Sequence, residues 1–220
     1  MGATQLDPIY VFFVVAGASL LPLVAVMVTS YTKIVIVLSL LRNAIGLQNV
    51  PPPSVTSGLA IVLSIFIMYP VISTATEEFD KLPPQSVETK APRQLMTMAG
   101  TVEAPMREFL MKHAGKQEIE FFMQSAKKTM PEKNYSKLTV DHFVILVPAF
   151  ALTEISEAFE IGFMIFLPFM IIDFLVAAIL MALGMQMMSP TTVALPFKLL
   201  LFVVVAGWEK LLGALLLSYR

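Results

Sequence analysis

The fold of this chain is decided by residues 148–208, PAFALTEISEAFEIGFMIFLPFMIIDFLVAAILMALGMQMMSPTTVALPFKLLLFVVVAGW. The stretch is apolar enough to enter a membrane, yet it carries five charged residues: Glu154, Glu157, Glu160, Asp173 and Lys198. Charges inside an apolar run are costly and mark sites with a task. A turn made largely of methionine, residues 184–190, divides the stretch, although turns are ordinarily polar. We interpret the stretch as a pair of helices that builds a gated passage.

Composition indicates an integral membrane protein or a membrane-associated one. Of its 220 residues 57% are hydrophobic and 14% charged, and the mean hydropathy is +0.78. Soluble domains average about 45–50% apolar and about 25% charged residues. The net charge of −1 gives no indication of nucleic-acid binding. Cysteine is absent from the sequence, which excludes disulfides and thiol chemistry.

The N-terminal part, residues 1–76, contains two hydrophobic segments. Residues 8–32 are uncharged and Pro22 should kink them. A helix over 9–45 would be about 55 Å long, which exceeds the roughly 30 Å hydrocarbon core, so it must project from the bilayer or fold back. Three prolines at 51–53 end it. Residues 55–76 form the second segment.

Residues 77–142 differ in character, because they are rich in charge and proline. Apolar residues at helical spacing predict helices over 93–113 and 117–128. We expect a small helical subdomain in water, on the same side of the membrane as both termini.

The third part, residues 143–220, should contain a short helix before 153, an elbow at the three glutamates, a helix over 161–183 and a last helix over 192–217. The sequence thus predicts an all-α protein with four kinked hydrophobic segments arranged as hairpins.

Two charges lie deep in the hairpin on either side of the methionine turn. Asp173 and Lys198 are about 16 Å and 12 Å from the turn along their helices, so they reach a similar level. Each needs a partner, either the other within one chain or a residue of a neighbouring subunit. The pair is either a structural ion pair or part of a proton relay. Glu154, Glu157 and Glu160 share one side of a helix, as an acidic lining or as the polar side of a helix at the membrane surface.

The methionines of the turn have two functional interpretations. Thioether groups can bind Cu(I). Alternatively, flexible methionine side chains from several subunits can close a pore as a deformable apolar seal. The sequence contains no motif typical of an enzyme active site. His113 and His142 are interpreted as solvated or capping residues, and we expect no catalytic residue, cofactor or metal site.

Five motifs make the chain resemble the FliP/SctR family, the export-gate component of type III secretion systems in flagella and injectisomes. They are TSYTKIVIVLSLLRNAIGLQNVPPPSV (29–55), IMYPV (67–71), PAFALTEISEAFEIGF (148–163), FLPFMIIDFLVAAILMALGMQMMSP (166–190) and LPFKLLLFVVVAGW (195–208). They occur in the family's order and leave only 77–142 without a clear match.

The resemblance implies a subunit of a conical helical channel for unfolded protein substrates. Such proteins form a homo-oligomeric ring, a pentamer in the family, together with SctS/FliQ-type and SctT/FliR-type subunits. The complex belongs to the bacterial inner membrane and lies largely at its periplasmic side, which would make 77–142 periplasmic. The absence of a signal peptide favours a virulence-associated injectisome over a flagellum.

The resemblance also implies roles for individual residues. The family's gasket loop falls on Met185, Gln186 and Met187, with Met188 adjoining. Its charge pair between subunits falls on Glu154 and Lys198, which would leave Asp173 to another partner. Gln186 interrupts a methionine run that is often continuous in the family, and Ala206 replaces a frequent aspartate. The competing hypothesis is a small-ion or metal transporter that uses Asp173, Glu154 and Lys198, but the order of the motifs favours the channel.

Overall fold

The computed structural model describes residues 8–47, 51–81, 91–185 and 187–220. Within these residues the regular structure is helical and no strand occurs, which confirms the predicted all-α fold. The helices are α1 (Pro8–Val28), α2 (Tyr31–Ile45), α3 (Pro53–Asp80), α4 (Ala91–His113), α5 (Lys116–Thr129), α6 (Glu132–Tyr135), α7 (Phe143–Ala182), α8 (Pro190–Val204) and α9 (Gly207–Leu217).

The first hydrophobic segment does not form one straight helix over 9–45, because it bends between α1 and α2. Residues Pro22–Val28 of α1 and helix α2 meet at an angle of 80°. The hydroxyl of Ser30, at the bend, is buried and donates to the hydroxyl of Ser64 on α3 over 3.2 Å. The bend between α1 and α2 is therefore held against α3.

Helix α7 runs without a break through the glutamates, so the predicted elbow after residue 153 is wrong. Its 40 residues include Pro148 and Pro168 and would span about 60 Å at about 1.5 Å per residue. The expectation of an elbow rests on the length of the apolar run 143–188, which exceeds one span and is interrupted by Pro148, the three glutamates and Pro168. The structure instead satisfies Glu154 with Lys33 of α2, whose Nζ lies 3.0 Å from a carboxylate oxygen.

The last hydrophobic segment is divided in two, so the prediction of one helix over 192–217 is also wrong. Helix α8 ends at Val204 and α9 begins at Gly207, with a bend of 60° between them. Ala206, at the break, adopts a left-handed conformation with φ of 52°. The eight residues before Gly207, LLLFVVVA (199–206), contain no proline or charge, so hydropathy gave no signal for the break.

Helix α2 is the centre of the packing. Its buried side chains meet α3, α7, α8 and α9 in the larger core cluster, which includes Ile34, Leu38, Ala60, Phe169 and Leu215. A second cluster joins the polar segment to the hydrophobic helices through Phe109, Leu110, Leu146 and Phe150. Helix α4 thus packs on α3 and α7, and α5 packs on α7.

Outer surfaces of α3, α7 and α8 expose large apolar side chains, among them Phe66, Phe163, Phe174 and Val203. By length and composition α3 and α7 could each cross a membrane. The two bent pairs, Pro22–Val28 with α2 and α8 with α9, pass the same test when each is taken as one span. The predicted hydrophobic hairpins are therefore present, with up to four spans.

Candidate functional site: the methionine turn and the buried charges

The methionine turn is a compact connection between α7 and α8. Gly184 has φ of +71°, a conformation that glycine adopts without strain. Its amide donates to Met181 (3.1 Å) and that of Met185 donates to Leu180 (2.9 Å), the two bonds of a Schellman helix end. Ser189 precedes α8 and Pro190 is its first residue, a position that suits proline. The backbone thus fixes where the methionines stand.

The methionines of this turn differ in how far they are exposed. Met187 is fully exposed, and Met185 and Met188 are 42% and 44% exposed. Gln186 lies outside the described residues. Apolar, unbranched side chains at an exposed turn cannot be packing the core of this chain. The turn therefore presents apolar methionine side chains at the surface of the chain.

Lys198 and Asp173 pair within the chain, the first of the two arrangements that their depth allowed. The Lys198 ammonium is buried and donates to Asp173 Oδ2 over 2.6 Å and to the carbonyl of Ala44 over 3.1 Å. The ion pair connects α8 to α7 below the turn. The bond from Lys198 to the Ala44 carbonyl also connects α8 to α2. The arrangement fixes the two helices of the hairpin against each other.

Glu154 belongs to a second buried cluster. Lys33 Nζ lies 3.0 Å from Glu154 and 2.7 Å from Glu157, and Lys33 and Glu154 are almost inaccessible to solvent. The Tyr219 hydroxyl donates to Glu154 Oε2. Lys33 Nζ also lies 4.2 Å from the centre of the Tyr219 ring, a cation–π contact. The cluster connects α2 and α7 to the residue two positions beyond α9.

Glu154 and Lys198 thus each have a partner inside one chain. Their pairing between neighbouring subunits stays a prediction. The cluster partners Lys33 and Tyr219 were not singled out from the sequence. Of these two residues, only Lys33 could have been found from the sequence. It is a cation among apolar residues of α2, and such a cation needs a counter-charge. Glu160, the third glutamate, is exposed.

The two histidines have different environments. His142 precedes α7, and its ring accepts from the amide of Val144, as predicted for a capping residue. His113 is half-buried between Phe109 and Tyr219, with ring centres 4.7 Å and 5.2 Å away, so a solvated role is wrong for it. Burial, reinforced by Lys112 and Lys33, lowers the pKa of His113 to about 4. The ring is therefore neutral at physiological pH.

Metal ligands do not gather anywhere in the part of the chain that the structure describes: no three acidic or histidine side chains stand close enough to hold an ion. Five charged residues of the hydrophobic helices are instead engaged in the two ion-pair clusters: Lys33, Glu154, Glu157, Asp173 and Lys198. Chemically, these clusters can fix helices in place, and the turn can present an apolar surface.

Known proteins match the chain over nearly its full length. Residues 14–215 match the FliP family. The hypersensitivity response secretion protein HrcR of Ralstonia nicotianae is 46% identical over 202 residues, which cover 92% of this chain and 93% of that protein. The Yop proteins translocation protein R of Yersinia pestis is 44% identical, with 97% of each chain covered.

Flagellar and virulence-associated relatives are both represented. The flagellar biosynthetic protein FliP of Bacillus subtilis is 41% identical over 201 residues, covering 91% of this chain and 87% of that one. Such identities over whole chains leave no doubt about common descent and fold. The chain with the exposed methionine turn and the two buried ion-pair clusters belongs to the FliP family, whose members are non-enzymatic components of the type III secretion export apparatus.

Proposed function

We propose that this protein is a core subunit of the export gate, in which several copies surround the channel that unfolded proteins cross. The observation that carries the proposal is the methionine turn. Its described methionines are exposed at the end of a hairpin that is fixed internally by Lys198 and Asp173. A surface of this kind, repeated around an axis, would form an apolar constriction that excludes water and ions by dewetting.

The seal would consist of Met185, Met187 and Met188 from each subunit, together with Gln186. Methionine suits this role because its three rotatable bonds let it mould to varied surfaces. A passing polypeptide presents side chains of every size, so a rigid ring would either leak or block. A ring of methionines can close on itself when empty and on the substrate when occupied.

The assembly would be a homo-oligomeric ring, with the pentamer expected from the resemblance, completed by SctS/FliQ-type and SctT/FliR-type subunits. Support comes from the exposed apolar side chains of α7 and α8, such as Phe163, Phe174 and Val203, which a soluble monomer would not leave uncovered. The protein would sit in the bacterial inner membrane, with the assembled complex at its periplasmic side.

Small-ion or metal transport is less well supported. A relay needs titratable groups that exchange protons or ions with water along a path. Lys198 instead neutralises Asp173, and Lys33 neutralises Glu154. Both clusters are therefore explained as structural ion pairs.

The seal is tested by replacing Met185 and Met187 together with alanine and measuring the leakage of ions and small dyes through the assembled complex. We expect the multimer to form as before and the leakage to rise, because alanine is too short to fill the constriction. The matched control is Met181→Ala, an exposed methionine on α7 before the turn. Unchanged permeability in the double variant, or an equal rise in the control, would show that the turn is not the seal.

The ring is tested separately by purifying the protein in mild detergent and measuring its mass. A multimer is expected. A stable monomer that still supports secretion would contradict the ring and leave the role of the turn to be explained differently.

A further inference from the structure

The bend between α8 and α9 opens an apolar groove on the outside of the hairpin. It has a volume of about 510 Å³, which is within the usual range of ligand pockets. Its walls come from α2, α7, α8 and α9 and include Leu41, Ile165, Phe169, Phe202 and Leu211. Lys210 is the one charged residue that lines it.

The shape of the groove is built into the backbone. Gly207 has no space for a Cβ atom, which would collide with the ring of Phe202. Phe202 in turn packs edge-on against Trp208, with ring centres 5.4 Å apart. Ala206 holds the left-handed conformation at the bend. The bend, and with it the groove, is therefore a fixed feature and not a frayed helix end.

Lys210 is an exposed residue of the groove lining. Trp208, which is partly exposed, lies two positions before it. Tryptophan and lysine are typical of the boundary between hydrocarbon and headgroups.

We propose that the groove binds one acyl chain of an anionic phospholipid, whose phosphate accepts from the Lys210 ammonium. Apolar walls suit the hydrocarbon, and a lone cation at the mouth complements the phosphate. Lys210 forms no ion pair with any other described residue. The apolar surface of α8 extends beyond the groove, since Leu200 and Val204 are exposed.

A second copy of this chain is the competing occupant, because an apolar ridge of a neighbour could also fill the groove. The lipid is favoured by the charge at the mouth. A neighbour's apolar ridge would bury Lys210 without a counter-charge, at a cost that a phosphate avoids.

Native mass spectrometry of the delipidated multimer in mild detergent tests the proposal. The probes are dioleoyl phosphatidylglycerol and dioleoyl phosphatidylethanolamine, and the readout is the number of lipids bound per chain. We expect one phosphatidylglycerol per chain. Lys210→Gln should lower its affinity about fivefold, the effect of one basic residue at an anionic surface, and leave phosphatidylethanolamine unchanged. Glu209→Gln, the exposed neighbour outside the groove, is the matched control and should lower the affinity for neither lipid, because it removes a negative charge.

Ala214→Trp places a large ring in the groove and should remove binding of both lipids. Leu217→Trp adds a ring on the exposed side of the same helix and should not. Lipid binding that survives Ala214→Trp, or that responds equally to Lys210→Gln and Glu209→Gln, would overturn the proposal. So would a wild-type multimer that takes up no lipid and dissociates on Ala214→Trp, since a neighbouring subunit would then fill the groove. The Lys210 variant alters only an exposed side chain, so it decides the question even if the tryptophan variant fails to fold.

Discussion

Lys33 and Glu154 form an ion pair from which water is almost entirely excluded, with side-chain exposures of 2% and 1%. Taking both charges out of water is expensive, and their attraction compensates only when the geometry is good and the remaining bonds are made. Tyr219 and Glu157 supply such bonds. The cluster is thus stable as a unit and intolerant of the loss of one member.

Replacing Lys33 by methionine, or Glu154 by glutamine, should lower the free energy of unfolding by about 3–5 kcal/mol, because each change strands a buried polar or charged partner. The double variant, Lys33→Met with Glu154→Met, should regain most of that loss. Unfolding in detergent by heat or denaturant measures the effect. Glu160→Gln, an exposed change on the same helix, should alter stability by no more than about 0.5 kcal/mol. A double variant less stable than both single ones would show that the pair is not the source of the loss.

At the scale of helices, sequence predicted the elements well and their breaks poorly. The two polar helices and the hydrophobic segments follow from periodicity and hydropathy, which are local properties. The elbow predicted near Glu154 was wrong, because Glu154 has a counter-charge inside the structure. That counter-charge, Lys33, lies on a helix far away in the sequence. The break at Ala206 was missed because a left-handed alanine leaves no mark in a sequence. Counting residues from the turn did place Asp173 and Lys198 at one level, since helix rise is constant.

The hairpin offers a charge-exchange test. Lys198→Glu alone should disrupt the structure, since it sets two carboxylates side by side below the turn. Adding Asp173→Lys should restore assembly in part, because the two groups lie 2.6 Å apart in one chain. Adding Glu154→Lys instead should not, since the new lysine would face Lys33. Size-exclusion profiles of the purified complex give the readout.

If Glu154→Lys is the change that restores assembly, the pair between subunits forms and takes precedence over the contacts inside one chain. Equal failure of both double variants would mean that neither exchange preserves a working pair.

At the scale of the whole molecule, the polar segment joins the hydrophobic helices at an aromatic cluster. Phe109 and His113 of α4 meet Phe150 of α7 and Tyr219 beyond α9. The ring planes of Phe109 and Tyr219 are nearly parallel, 10° apart. A charge on His113 would be unfavourable in this cluster, which is why its pKa is lowered.

Stability should therefore depend on pH through His113. Its pKa is about 4 in the folded protein and 6.5 when unperturbed, so between these values the unfolded chain binds a proton that the folded protein does not. The contribution of the neutral ring is complete above pH 6.5 and is lost as the pH falls towards 4. Thermal unfolding midpoints of the wild type should fall more steeply in that range than those of His113→Phe.

His142→Asn serves as the control, because asparagine can keep the capping bond to α7 while removing the other histidine. It should follow the wild-type pH dependence. Identical slopes for wild type and His113→Phe would show that this ring does not control the junction.

The apolar outer faces of α3, α7 and α8 have a consequence for how the protein can be supplied. A chain that exposes Phe66, Phe163, Phe174 and Val203 has no stable state in water. We expect that no soluble reserve of it can accumulate, and that chains without membrane or partner surface aggregate or are degraded. The number of assembled export gates in a cell would then be limited by the membrane and partner surface available to the protein, and not by its rate of synthesis.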